Sequence, residues 1–126
     1  MTPPSTMLPA ILYIDDEALL CRVFQRILDG CGAPIVTFTD PELALAYARE
    51  HPVAAIVCDY RMPALSGLQL LDRLDIDVPF VLISGDIGIA PIVQRNPRVT
   101  AVLAKPFQPE ALLALLRPYL PPSTGA

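Results

Sequence analysis

Five short apolar runs, each broken off by a polar or charged residue, leave this chain few folds to choose from. They are Ala10–Ile14, Pro34–Phe38, Val53–Cys58, Phe80–Ile83 and Val99–Ala104. Runs this short are too brief for core helices, and their lack of polar alternation marks strands buried on both faces. The plainest is Val53-Ala54-Ala55-Ile56-Val57-Cys58, which stops at Asp59. Pro63 then marks a loop, because the residue before a proline is pushed out of helical geometry.

Helical periodicities fill the gaps between the runs. Leu19, Leu20, Val23, Phe24, Ile27 and Leu28 recur at helical spacing until Gly30 and Gly32 stop them. A second helix starts in Thr39-Asp40-Pro41-Glu42 and carries Leu43, Leu45, Ala46 and Tyr47. Either Thr39 caps it with Glu42 closing the box, or Asp40 caps it with Pro41 in the first turn. Ser66-Gly67 precedes a third helix through Leu68, Leu71 and Leu74. Gly88, Pro91 and Pro97 leave the fourth helix short or irregular, with about two turns around Ile92 to Arg95. The last helix opens at Gln108-Pro109-Glu110 and presents Leu112, Leu113, Leu115, Leu116, Tyr119 and Leu120 to the core. Such alternation predicts an α/β domain: a five-stranded parallel sheet with right-handed crossovers and helices on both faces.

The bulk numbers bound the rest. A chain of 126 residues fits a single domain, with a core over 10–120 and loose tails at 1–9 and 121–126. Hydrophobic content of 53% with 17% charged residues excludes a disordered chain. A net charge of -4 argues against a basic nucleic-acid-binding face. No apolar run reaches membrane-spanning length, and Met1 to Pro9 lacks the pattern of a signal peptide, so a cytoplasmic protein is expected. Cys21, Cys31 and Cys58 have neither zinc-ligand spacing nor an even count for disulfides, and read as buried thiols. His51, beside Pro52 at a helix end, is expected to have no catalytic role.

In open α/β sheets, ligands bind outside the carboxyl ends of the strands. Here those ends read Asp15-Asp16, Asp59, Ser84 and Lys105, the chain's single lysine. Carboxylates crowded on one rim raise each other's pKa unless a cation compensates. Three Asp and one Lys leave two negative charges, which suits a divalent ion, and hard oxygen donors suit Mg²⁺. A carboxylate is also a competent phosphoryl acceptor.

This layout resembles the receiver domain of bacterial response regulators. The matching signatures are the acidic pair Asp15-Asp16, the Asp-x-x-Met-Pro-x-x-x-Gly run (Asp59, Met62, Pro63, Gly67), Ser84-Gly85 and Lys105-Pro106-Phe107. All four stand in order at the ends of the right strands, over residues 10 to 120. The resemblance implies strand order 2-1-3-4-5 and a phosphoryl group accepted by Asp59 from a sensor histidine kinase or a histidine phosphotransfer protein. It implies Asp16 as a direct Mg²⁺ ligand, Asp15 mainly through water, and the backbone carbonyl of Arg61 as a further ligand. Ser84 and Lys105 would each bind a phosphoryl oxygen, and Pro106 would favour a cis bond that aims the lysine inward. Signalling would pass to a downstream protein of unknown identity through phosphorylation-dependent contacts, and Tyr119 and Leu120 could serve a homodimer face.

The chain departs from the family at Val102, where an aromatic residue usually completes the switch. Arg61 and Asp86, oppositely charged on facing loops, are expected to pair across the pocket mouth and slow hydrolysis. Two other readings compete. A Mg²⁺-dependent aspartyl-phosphate phosphatase would need a second Asp two residues after the nucleophile, where this chain has Arg61. A phosphorylation-independent interaction module draws its support from Val102.

Overall fold

The computed structural model describes residues 8–121 apart from 87, 89, 90 and 92–94. Its strands are β1 (Ala10–Ile14), β2 (Ile35–Phe38), β3 (Val53–Asp59), β4 (Phe80–Ser84) and β5 (Ala101–Ala104). Its helices are α1 (Ala18–Ile27), α2 (Pro41–Glu50), α3 (Gly67–Arg73) and α4 (Pro109–Leu116), the last running into a 3-10 turn at Arg117–Tyr119. The strands pair in parallel in the order β2-β1-β3-β4-β5. The irregular helix expected around Ile92 to Arg95 lies largely outside the described residues.

Side chains of a strand alternate between the faces of the sheet, so each strand feeds two cores. Leu12, Ile14, Ile56, Cys58, Phe80 and Leu82 pack with α2 and α3 on one face. Ile11, Tyr13, Ala55, Val57, Val81 and Ile83 pack with α1 and α4 on the other. One irregularity interrupts the pairing. Ala10 faces Val53 but Ile11 faces Ala55, so Ala54 is an extra residue in β3.

Local chemistry sets the element ends. Of the two caps open for α2, Asp40 is the one formed: its side chain accepts the Glu42 N–H at 2.9 Å, with Pro41 in the first turn. Ser66 caps α3 in a reciprocal box with Gln69. Gly30 and Gly32 take positive φ after α1, as its stop requires. Arg98 donates to the carbonyls of Leu71, Leu74 and Ile76, tying the approach to β5 to the end of α3.

Three expectations are corrected. Leu19 and Val23 are exposed, and α1 buries Cys21 and Phe24, with Leu28 just beyond its end. In α2, Leu43 is exposed while Ala44, Leu45 and Ala48 are buried. Strand β5 begins at Ala101 and is half-buried, because it is an edge of the sheet. In α4, Leu112 and Leu116 are fully buried, and Tyr119 and Leu120 pack half-buried against the same core.

Candidate functional site

Parallel strands bring their carboxyl ends to one edge, and the register aligns them. Ile14 pairs with Cys58 and Asp59 with Ile83, so the residues leaving β1, β3 and β4 share one rim. Asp15, Asp16 and Asp59 each offer a carboxylate oxygen there, all within 4.8 Å of one another. Asp15 and Asp59 are buried, whereas Asp16 is exposed. Lys105 leaves β5 through a cis bond to Pro106 and reaches across the rim. Its Nζ lies 3.2 Å from Asp15 Oδ2, 3.3 Å from Asp59 Oδ2 and 3.6 Å from Glu17 Oε1.

The charges bias one another. Burial raises the pKa of Asp59, the neighbouring Asp15 charge raises it further, and Lys105 pulls it back without cancelling the rise. For Lys105, burial opposes the ammonium, but the charges of Asp15 and Asp59 prevail and hold its pKa above the ordinary lysine value. Lys105 is therefore a cation at any physiological pH. Two buried acids, an exposed one and a single ammonium form an oxygen-rich, net-negative cluster. Hard carboxylate oxygens with surplus charge fit Mg²⁺, so the residues present suit the metal the sequence implies.

The loop after β3 explains the glycine of the Asp59 motif. A Cβ at Gly67 would stand 2.5 Å from Leu82 Cδ2 and 2.8 Å from the Asp59 carbonyl oxygen. The Gly67 N–H also donates to the Tyr60 carbonyl at 2.8 Å. The start of α3 is thus pressed against the acceptor strand, where no side chain fits. At the mouth, Arg61 and Asp86 form the expected ion pair at 3.2 Å, solvent-exposed. Ser84 is buried, and its Oγ accepts the Asp86 N–H at 2.9 Å. Val102 is half-buried against the α2/α3 core and holds no ring near the rim.

Two contacts escaped the sequence reading. Glu17 adds a third carboxylate within reach of Lys105. Tyr13 is fully buried in β1, and its hydroxyl donates to Asp15 Oδ2 at 2.8 Å. A signal existed for Tyr13: a phenol in a buried strand needs a partner for its hydroxyl, and Asp15 stands two residues on, on the same face.

Comparison with known proteins places this geometry. The pattern described as "Response regulator receiver domain" matches residues 11–117. The chain is 35% identical over 113 residues to the C4-dicarboxylate transport transcriptional regulatory protein DctD of Pseudomonas aeruginosa, covering 85% of this chain and 24% of that protein. It is 32% identical over 111 residues to the transcriptional regulatory protein FixJ of Bradyrhizobium diazoefficiens, covering 84% and 54%. The chain thus spans from a quarter to about half the length of these relatives. Among solved structures, chemotaxis response regulator CheY4 of Vibrio cholerae shares the fold with a TM-score of 0.78 at 23% identity, covering 90% of this chain and all of that one. The receiver domain of sensor histidine kinase PA1611 from Pseudomonas aeruginosa, which holds a magnesium ion in its active-site cleft, matches with a TM-score of 0.76 at 22% identity, covering 89% and 97%. With its acidic pocket of Asp15, Asp16 and Asp59 beside Lys105, a typical phosphoacceptor site, this chain belongs to the response regulator receiver domain family.

Proposed function

We propose that this receiver domain takes a phosphoryl group on Asp59, with Mg²⁺, from a sensor histidine kinase or a histidine phosphotransfer protein, and signals through contacts that depend on it. The observation that carries this reading is the Lys105 ammonium held between the buried carboxylates of Asp15 and Asp59. In the transfer, the bond from phosphorus to the donor breaks as a new P–O bond forms to an Asp59 oxygen. Mg²⁺, when bound, offsets the negative charge of the incoming group. Asp16 and Asp59 would hold it directly with the Arg61 carbonyl, and Asp15 through water. Lys105, already charged, pairs with a phosphoryl oxygen once Asp59 no longer carries its own free charge. Ser84, at the end of the strand beside Asp59, supplies a hydroxyl to another oxygen after leaving Asp86.

The donor must bring its phosphoryl group to this rim. An apolar groove lined by Leu20, Val23, Ile27, Phe107 and Pro109 opens beside Lys105. No helix among the described residues is long and apolar enough to cross a membrane, and the proposed setting is the cytoplasm. The output is a population shift, limited by how much better the phosphoryl group binds one loop arrangement than the other.

The test is direct labelling. Incubated with acetyl phosphate or phosphoramidate and Mg²⁺, the wild type gains one phosphate by intact-protein mass spectrometry and Asp59→Asn gains none. A wild type that stays unmodified, or an adduct undiminished in Asp59→Asn, refutes the reading. Multiple turnover of a small phosphoester would instead favour the phosphatase.

A further inference from the structure

Tyr13 stands out once the phosphoacceptor residues have been assigned. Its ring is fully buried and stacks on Phe24 with centroids 4.4 Å apart, in the core beneath α1 and α4. A phenylalanine would fill that space equally well. The hydroxyl is what needs a reason, and it is spent on Asp15 Oδ2 at 2.8 Å.

Asp15 is itself fully buried, and protein donors hold both of its oxygens. Oδ1 accepts the Glu17 N–H at 3.0 Å. Oδ2 accepts the Tyr13 hydroxyl and lies 3.2 Å from the Lys105 ammonium. Tyr13 and Lys105 therefore share one oxygen, which accepts both donors at once. The phenol fixes the orientation of the carboxylate and takes up part of its charge, while the ammonium is shared with Asp59 and Glu17.

We propose that Tyr13 is a positioning residue: its hydroxyl pins the Asp15 carboxylate so that the acid cluster stays open to Mg²⁺ instead of closing on Lys105. The inference rests on the metal-dependent phosphoacceptor reading above. Without the hydroxyl, Oδ2 turns toward the remaining donor, the ammonium. The Asp15–Lys105 pair then tightens, and an entering cation has to break a stronger contact.

The experiment compares wild type, Tyr13→Phe and Phe24→Leu as full chains. Mg²⁺ binding is measured by calorimetry, thermal stability by circular dichroism, and Asp59 labelling by acetyl phosphate across a Mg²⁺ series. Tyr13→Phe should weaken Mg²⁺ binding about three- to tenfold, the scale of one ordinary hydrogen bond. Its labelling rate at saturating Mg²⁺ should stay within about twofold of wild type, because the loss lies in metal binding and not in the transfer step. Phe24→Leu, which disturbs the stacking and leaves the hydroxyl, should lower thermal stability with the Mg²⁺ affinity unmoved. An unchanged Mg²⁺ affinity in Tyr13→Phe overturns the proposal. So does an equal loss of affinity in Phe24→Leu, which would make the effect one of packing. Calorimetry needs no phosphoryl donor, so it still decides on Tyr13 if the wild type fails to label and the functional reading falls.

Discussion

Replacing the phosphoacceptor should make the metal-free protein more stable. Asp59 lies no more than 4.8 Å from oxygens of Asp15 and Asp16. At an effective dielectric of about 20, the buried Asp15 then repels it by about 3 kcal/mol. Asp16 faces solvent, and screening reduces its share to about 1 kcal/mol. Against this, Lys105 at 3.3 Å attracts Asp59 by about 5 kcal/mol on the same footing. Attraction and repulsion nearly cancel, leaving the cost of burying a carboxylate that is only 5% exposed. That cost is about 3 kcal/mol relative to a neutral amide of the same shape. Asp59→Asn should therefore gain about 1–2 kcal/mol at pH 7 in chelator-treated buffer, read by urea denaturation, or roughly 4–8 °C in melting temperature.

The pH dependence fixes the cause. The folded pKa of Asp59 is raised above its ordinary 3.8. An acid shifted upward subtracts stability wherever it is ionised in the folded state, so the penalty is complete above the raised value. It shrinks as pH falls through that value and is gone below 3.8. The gap between wild type and Asp59→Asn should close over that window. Saturating Mg²⁺ should also close it at pH 7, because a ligand at about a hundred times its Kd adds about 2.7 kcal/mol to the protein that binds it. A variant no more stable than wild type without metal would show that the lysine contact outweighs burial, and would refute this account.

Other outcomes follow from the same geometry. Gly67→Ala forces a Cβ onto Leu82 and onto the Asp59 backbone, which cannot retreat; it should cost about 1–3 kcal/mol in urea denaturation. It should also slow Asp59 labelling, since the strand end itself must shift. Arg61→Ala and Asp86→Ala should each shorten the life of the phosphorylated state, followed as decay of the adduct after donor removal. The pair is exposed, worth at most about 1 kcal/mol, so the change should not exceed about fivefold. Unchanged lifetimes in both variants would remove any role for the pair.

Strand ends were the legible part of this molecule. Strands buried on both faces read as unbroken apolar runs, so Asp59, Ser84 and Lys105 could be placed at their ends without coordinates. Helix faces were less legible. Helix α1 carries apolar residues at 19, 20, 23, 24 and 27, a band wider than the sheet can cover. The docking angle on β1 and β2, which leaves Leu19 in water, is a tertiary property. The same holds for Leu43 in α2. Spacing also gives no hint that Tyr13 and Lys105 share one oxygen of Asp15, because that contact joins the first strand to the last.

The extra alanine in β3 reaches further than its size suggests. Had the pairing of Ala10 with Val53 continued unbroken, Asp15 would lie opposite Cys58, and Asp59 would be one step out of line. With Ala54 accommodated early, the ladder advances by one, Ile14 meets Cys58, and the two acids emerge side by side. The alignment of the acceptor with its neighbour is thus decided about 16 Å away, five residues back along the strand, at a position with no chemistry of its own. Deleting Ala54 would remove the irregularity and keep Ile14 opposite Cys58, whereas pairing Ala54 into the ladder would leave every pocket residue in the chain and still pull the pocket apart.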